Sequence, residues 1–441
     1  MKWRCSAIVA LSWLLLWNGP GTPVGAEEEP SDRPYSGDLF SRSTLTGDWL
    51  GSRNDLAARG ITFDANMTQI GQGVMSGGKS SAWEYGGRGD LTLHLDTQKA
   101  GLWPGGFLTV ELEGNWSKGV NGKTGALVPV NTNQLLPIPG GTNVGLPGWN
   151  FAQFLSHYAG VTFGKFQTVT NGDQNEFAHG KGDVQFFNLA FNLNPALLTV
   201  PYSTLGAGAI LLPTKDPNQA IITATVVSAT GSASTAGFDD LDGPIIAGEG
   251  RVRTGFFGLT GHQLVGGLYS YKRYTSVDQR LDLDVIENRT LVPRTGSWAV
   301  YYNFDQYLYQ PDKEENRGVG VFGRFGASPG DPIPIKYFYS IGIGAKGPFE
   351  SRPFDQCGIG YYYSTINNPS LQLPFTTRKF LQDEWGFEAY YNIALTRWLL
   401  VTPDIQVVGG AQKNEILSVR DRETKGIGDA VVLGFRGQIV F

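Results

Sequence analysis

The sequence predicts an all-β protein: a transmembrane antiparallel β-barrel of about sixteen strands, with a short N-terminal helix. Three observations predict it. Apolar residues recur at a period of two through segment after segment, and in the cleanest segments the ionisable residues keep to one parity. Beyond the N-terminal leader, no stretch stays apolar for the roughly 18 residues that a membrane-crossing helix needs. The chain also combines 60 Gly with 25 Phe, 18 Tyr and 11 Trp in 441 residues, a pairing that suits close-packed strands and tight turns.

The chain begins with residues 1–26, which read as a secretory leader. Lys2 and Arg4 form its basic start, Ala7 to Trp17 its apolar run, and Val24-Gly25-Ala26 a small-residue cleavage site. Cys5 lies before the apolar run, so the mature chain keeps one cysteine, Cys357, and no internal disulfide is expected. Residues 27–44 are polar and proline-containing, a flexible lead-in. Residues 45–60 carry a helical pattern, with Trp49, Leu50, Arg53, Leu56 and Ala57 on one side. Asp48 stands at the expected N-cap and Gly60 at the stop.

Residues 61–441 are expected to form the barrel. The alternation is strict in five segments. Leu91, Leu93 and Leu95 oppose Arg88, Asp90, Thr92, His94 and Asp96; Leu108, Val110 and Leu112 oppose Thr109, Glu111 and Glu113. Trp298, Val300, Tyr302 and Phe304 oppose Tyr301, Asn303 and Asp305. Trp385, Phe387, Ala389, Tyr391 and Ile393 oppose Glu388, Tyr390 and Asn392. Leu399, Val401, Ile405 and Val407 oppose Thr402, Asp404 and Gln406. Lipid imposes this pattern, because a basic side chain facing the bilayer midplane costs about 2–4 kcal/mol.

Strand starts are expected near Ile61, Gly87, Gly106, Phe151, Val161, Tyr202, Asn218, Gly248, His262, Ser297, Arg317, Ile335, Gln356, Trp385, Leu399 and Ala430. Connections alternate between short ones, such as 98–104 and 396–398, and long Gly/Pro/Asn/Thr-rich ones, such as 117–150 and 170–201. Turns on one side of the membrane and loops on the other produce that alternation. The last segment, Ala430 to Phe441, puts Leu433, Phe435, Ile439 and Phe441 on one face and Arg436 and Gln438 on the other. Alone it fits the edge of a soluble sheet. Beside a leader and lipid-type alternation it fits the closing strand that barrel-assembly machinery recognises.

The formal charge is −5, and removing Lys2 and Arg4 leaves 33 basic against 40 acidic residues. With no Lys/Arg run, nucleic acid is not an expected partner. His94, His157, His179 and His262 form no HExxH, and no GxSxG is present, so neither an enzyme, a metal site nor a cofactor is expected. The inward parity does place charges of both signs round one lumen: Arg88, Asp90, Glu111, Glu113, Arg324, Glu388, Asp404 and Arg436. Such charges either pair to hold strands in register or line a constriction of donors and acceptors. The second arrangement suits a neutral, polyhydroxylated solute. Trp83, Trp116 and Trp149, in or near loops, are candidates to stack on sugar faces or to belong to a membrane-interface girdle.

Several motifs, in order, resemble those of the carbohydrate-selective porins of Gram-negative outer membranes. They include Leu45-Thr46-Gly47-Asp48-Trp49 followed by Arg53, Leu56 and Gly60, with Leu50 where a glycine is usual, and Gly164-Lys165-Phe166. Pro201-Tyr202-Ser203-Thr204-Leu205-Gly206-Ala207-Gly208, Gly323-Arg324-Phe325-Gly326 and the run Gly342 to Phe349 are similar too, as is Tyr391 to Thr396 leading into Leu400 to Gln406. Asp331-Pro332-Ile333-Pro334 departs from the Asn-Pro-Asn-Pro usual there. The resemblance implies a sixteen-stranded outer-membrane barrel passing small sugars by facilitated diffusion through a narrow charged eyelet. Arg88, in Gly87-Arg88-Gly89-Asp90, matches the eyelet arginine. A general or anion-leaning porin, or a secreted glycan-binding β-protein, are the alternatives the residues leave open.

Overall fold

In the computed structural model, the described residues are 35–441 apart from 117, 138–143, 239–240, 279–290, 312–315, 369, 374–375, 380 and 419–422. The expected leader lies outside them. Sixteen strands close into one antiparallel barrel in which each strand pairs with its chain neighbours. The first eight are β1 (Ile61–Gly78), β2 (Ala82–Asp96), β3 (Gly106–Asn115), β4 (Val144–Phe154), β5 (Ala159–Gln167), β6 (Ser203–Leu211), β7 (Ala220–Ser228) and β8 (Pro244–Thr254). Next come β9 (Gly261–Thr275), β10 (Pro293–Tyr309), β11 (Gly318–Ala327), β12 (Ile335–Lys346) and β13 (Gln356–Ile366). A small hairpin, β14 (Ser370–Leu373) with β15 (Thr376–Lys379), precedes β16 (Glu384–Ala394) and β17 (Leu399–Gly409). A second, β18 (Asn414–Ser418) with β19 (Glu423–Gly426), precedes the last barrel strand, β20 (Gly428–Val440).

The parity read from the sequence is the parity of the wall. On β20, Phe435 is 55% exposed on the outer face, whereas its neighbour Arg436 is 1% exposed inside. Leu91, Leu112, Val300 and Ile405 are likewise exposed outward, while Arg88, Glu111, Asn303 and Gln406 are buried inward. No helix among the described residues is long and apolar enough to cross a membrane.

β20 closes the ring against β1, from Asn66 opposite Val440 to Gly78 opposite Gly428. The N-terminal segment reinforces this seam: Leu45 N donates to Val440 O at 2.7 Å, and Phe441 N to Ala65 O at 2.8 Å. Connections such as 155–158 and 395–398 lie at the end of the barrel that holds Leu45 and Phe441; 168–202 and the described parts of the connections after β3 and β17 lie at the other. The expected strand starts agree within about five residues except one. β4 begins at Val144 rather than near Phe151, because Gly145, Pro147 and Gly148 break its apolar alternation while its pairing to β3 continues across a register shift between Glu111 and Glu113.

The N-terminal helix is shorter than its pattern implied. It runs from Ser52 to Ala58, after a 3₁₀ turn at Trp49–Gly51 in which Trp49 and Leu50 take left-handed φ values of 51° and 61°. That reversal turns Leu50 out to solvent, so the five-residue face expected from spacing does not form. Gly51, with φ 97°, occupies the N-cap in place of Asp48. Asp48 still serves the first turn from outside, since Asn54 N donates to its carboxylate at 2.9 Å. Arg53 is buried, donating to Phe63 O at 2.7 Å and lying 4.1 Å from the Tyr35 ring centroid. The helix is thereby pinned to the start of β1.

Candidate functional site

The lumen is occupied by the chain's own loop. The 168–202 connection folds inward, and its short turns are set by local chemistry. Asn188 and Asn194 accept from Ala190 N (3.0 Å) and Ala196 N (3.1 Å), capping turns at Leu189–Asn192 and Pro195–Leu197. From there the loop reaches opposite walls. On β11, Arg324 donates to Asp173 Oδ2 (2.7 Å), Phe191 O (2.9 Å) and Ala178 O (2.6 Å). On β2 and β3, Lys181 Nζ donates to Asp90 Oδ1 (2.8 Å) and Glu113 Oε1 (2.6 Å). β3 and β11 stand eight places apart in a ring of sixteen, so the stretch from Asp173 to Lys181 crosses the bore. The 118–137 segment lies beside it: Thr132 N donates to Phe187 O at 2.8 Å, and Leu189 N to Pro129 O at 2.9 Å.

The eight inward charges read from the sequence are all 6% exposed or less. Seven have a hydrogen-bond partner. Arg88 Nε donates to Asp90 Oδ2 at 3.0 Å, and Arg88 Nη1 to Asn133 O at 3.5 Å. Glu113 is held by Lys181 and by Tyr202, whose Oη lies 2.5 Å from Glu113 Oε2. Glu388 accepts from Phe187 N (2.5 Å) and Asn188 N (2.9 Å); Asp404 Oδ1 accepts from Gln406 Nε2 (3.0 Å). Arg436 donates to Gly182 O (2.9 Å) and Val184 O (2.7 Å), with its guanidinium 4.4 Å from the Phe187 ring centroid. Glu111 is the exception. It sits diagonally from Asp90 on the paired strands, yet its Oε1 is buried with no hydrogen-bond partner.

The cluster of Arg88, Asp90, Glu113 and Lys181 is completed by Asp183. Its Oδ2 lies 3.9 Å from Arg88 Nη2, too far for a hydrogen bond, and neither atom has another partner. Both amide atoms of buried Asn133 are also unpaired. Donors and acceptors thus face one another here without being matched.

On the β11–β13 side the contact is aromatic. Phe186 packs on Phe191, Tyr390 and Phe322 at ring-centroid distances of 4.5, 4.7 and 5.5 Å. Wall glycines make the room: a Cβ at Gly344 would lie 2.5 Å from Phe177 Cβ, and one at Gly360 would lie 2.5 Å from Phe191 Cε1.

Sequence reasoning missed Lys181, Asp183, Asp173 and Tyr202, all contributed by the loop, and Glu384, which accepts from Leu127 N (2.6 Å) and Val128 N (3.1 Å). A signal was present. Phe177, Phe186, Phe187 and Phe191 make 177–191 too apolar for a solvated loop. Trp83, Trp116 and Trp149 all lie on the outer parity: Trp83 opposes Gly73, Trp116 covers Gly87, and Trp149 Nε1 donates to Ala236 O at 2.9 Å. None of the three lies in the lumen.

A closed sixteen-strand barrel with an apolar exterior and a lumen crossed by its own loop is the architecture of a porin. A model of the carbohydrate-selective porin, OprB family, matches residues 80–441, and the chain belongs to that family. It is similar in structure to the high-pH structure of Pseudomonas putida OprB, with 19% identity and a TM-score of 0.76, over 92% of this chain and 100% of that one. The low-pH structure of Pseudomonas putida OprB is similar at 17% identity and a TM-score of 0.56, over 91% and 99% of the respective chains. No curated protein matches the chain. Membership places it among the porins of the Gram-negative outer membrane.

Proposed function

We propose that the barrel passes small neutral sugars by passive diffusion, and that the inserted loop and the wall charges it meets select them. The observation that carries this reading is the unmatched cluster. Arg88 Nη2 and Asp183 Oδ2 face each other at 3.9 Å, buried without hydrogen-bond partners, and Glu111 Oε1 on the neighbouring β3 is buried and unpartnered too. A hydroxyl both donates and accepts, so a sugar satisfies such a set, whereas a simple ion satisfies only one sign. Arg88 donates to the solute in this reading, Glu111 and Asp183 accept, and Asp90, Glu113, Lys181 and Arg324 hold the loop that presents them. Glu388 on β16 and Arg436 on β20 also hold the loop, with Asp404 between them on β17. Outer-membrane lipid surrounds the exposed apolar face. The 1–26 leader directs export and is removed, and β20 is the strand read by the barrel-assembly machinery.

The test is liposome swelling with glucose, a disaccharide and an amino acid of glucose's size. Glucose is expected to enter faster than the amino acid; equal rates would make the protein a general porin. A charge-assisted hydrogen bond is worth about 1.5–3 kcal/mol, so Arg88→Ala is expected to lower that preference about ten-fold. Arg88→Lys, which keeps the charge, is expected to recover part of it. An unchanged preference in Arg88→Ala removes Arg88 from selection.

A further inference from the structure

A second feature of the lumen is not polar. A cavity of about 540 Å³ lies between the inserted loops and the inner faces of β7 to β9. It starts at the loop end, beside Lys272, Tyr274 and Ile333, and reaches mid-barrel at Thr223 and Glu249. Its middle is lined by Leu136, Leu193, Leu197, Val200, Ile245 and Leu268. Thr199, also on the lining, has a buried Oγ1 with no hydrogen-bond partner. Its size falls within the roughly 300–1,000 Å³ of small-molecule sites.

The lining dictates the occupant. A bare hexose would set its hydroxyls against leucines and lose hydrogen bonds to water without replacement. A purely apolar molecule would leave the polar ends unmet. One end carries the Lys272 ammonium, 3.3 Å from Ala229 O; the other carries the Glu249 carboxylate, which accepts from Tyr301 Oη at 2.7 Å. One charge of each sign favours a neutral solute with a polar end and an apolar body.

Building on the sugar-channel reading, we infer that this cavity binds glycosides carrying an aromatic or short alkyl aglycone, taking the aglycone among the leucines and the sugar at the threonine- and tyrosine-bearing rim. The cavity is then a vestibular subsite that adjoins the Arg88 cluster at Tyr202, and it widens the solute class from free sugars to amphiphilic glycosides.

The test uses the full chain in a planar bilayer, with conductance titrated by glucose, methyl β-glucoside and phenyl β-glucoside. Burying one phenyl ring is expected to bring half-maximal block at a concentration about ten-fold below that of methyl β-glucoside. Ala247→Trp, which fills the cavity from β8, is expected to erase that difference. Leu268→Asn, polar at nearly constant size, is expected to reduce it several-fold and decides the matter alone if the tryptophan variant fails to insert. Equal block by the two glucosides in a conducting, glucose-permeable channel overturns the inference and leaves the channel reading standing. So does a difference that survives both substitutions. A wild-type barrel that passes no glucose overturns the channel reading and this inference with it.

Discussion

The stretch from Asp173 to Phe191 meets the barrel in two different ways. Toward β11–β13 it is packed chiefly by phenylalanines into glycine dents, with Phe177 against Gly344 and Phe191 against Gly360, while the Arg324–Asp173 and Lys346–Glu176 ion pairs fix it there as well. Toward β2 and β3 it is held by charge, through Lys181 between Asp90 and Glu113. Aromatic packing is non-directional and its strength follows contact area. Charge contacts are directional and hold a register, but removing one partner strands the other in a dry place. The aromatic side therefore suits anchoring, and the charged side suits presenting polar atoms at fixed positions. One side can be weakened without altering what the other recognises.

The largest expected effect lies on the aromatic side. Phe186→Ala empties the space against Phe191, Tyr390 and Phe322, and such truncations cost about 3–5 kcal/mol. A lower unfolding temperature, read from heat-modifiable migration on gels, is expected, with the glucose-over-amino-acid preference retained in the inserted protein. Loss of the preference in a normally stable barrel would break the division of labour. Gly360→Ala attacks the same contact from the wall by overpacking and is expected to cost about 1–3 kcal/mol.

On the charged side, Lys181→Met leaves Asp90 with Arg88 alone and Glu113 with Tyr202 alone. Breaking a buried pair costs about 3–5 kcal/mol when nothing compensates, so about 2–3 kcal/mol is expected here. The sharper readout is ionic. Removing a cation beside two carboxylates is expected to shift the reversal potential in a KCl gradient toward cation preference. Adding Asp90→Asn is expected to return it part of the way, because the two positions share one contact. An unchanged reversal potential would place Lys181 away from the ion path.

The wall was far more legible in the sequence than the lumen. Alternation is a local property: Leu91, Leu93 and Leu95 declare an outer face within five residues, because lipid excludes charge from every strand independently. The eight inward charges were legible as inward for the same reason. Their partners were not. Phe187 N meets Glu388 across 201 positions of sequence, and Lys181 meets Asp90 across 91. No periodicity links such pairs. Two composition signals did point inward: the phenylalanines of 177–191, and the glycines at inward positions of β11–β13 that otherwise look like weak strand formers. The left-handed turn at Trp49 and Leu50 left no signal, since neither residue type favours that conformation.

The smallest expected effect tests whether the crossing itself responds to acid. His179 lies in the loop between Ala178, held by Arg324, and Lys181, held by the opposite wall. Burial first, and then the neighbouring Arg324 guanidinium, lower its pKa from the usual value to about 3. The native loop thus favours the neutral ring, while the unfolded chain takes up a proton near pH 6.5. With the folded value below the unfolded one, this contribution is complete above about pH 6.5 and is lost progressively as pH falls from there toward 3. Because the ring is only half-buried, on the order of 1 kcal/mol is expected to be lost by about pH 4.5. Wild type and His179→Gln are to be compared by heat-modifiable migration at pH 7 and pH 4.5. Carboxylates elsewhere titrate equally in both, so the difference isolates the histidine. The glutamine variant is expected to lose less stability on acidification. Equal losses would show that the crossing holds its grip without regard to the charge on His179.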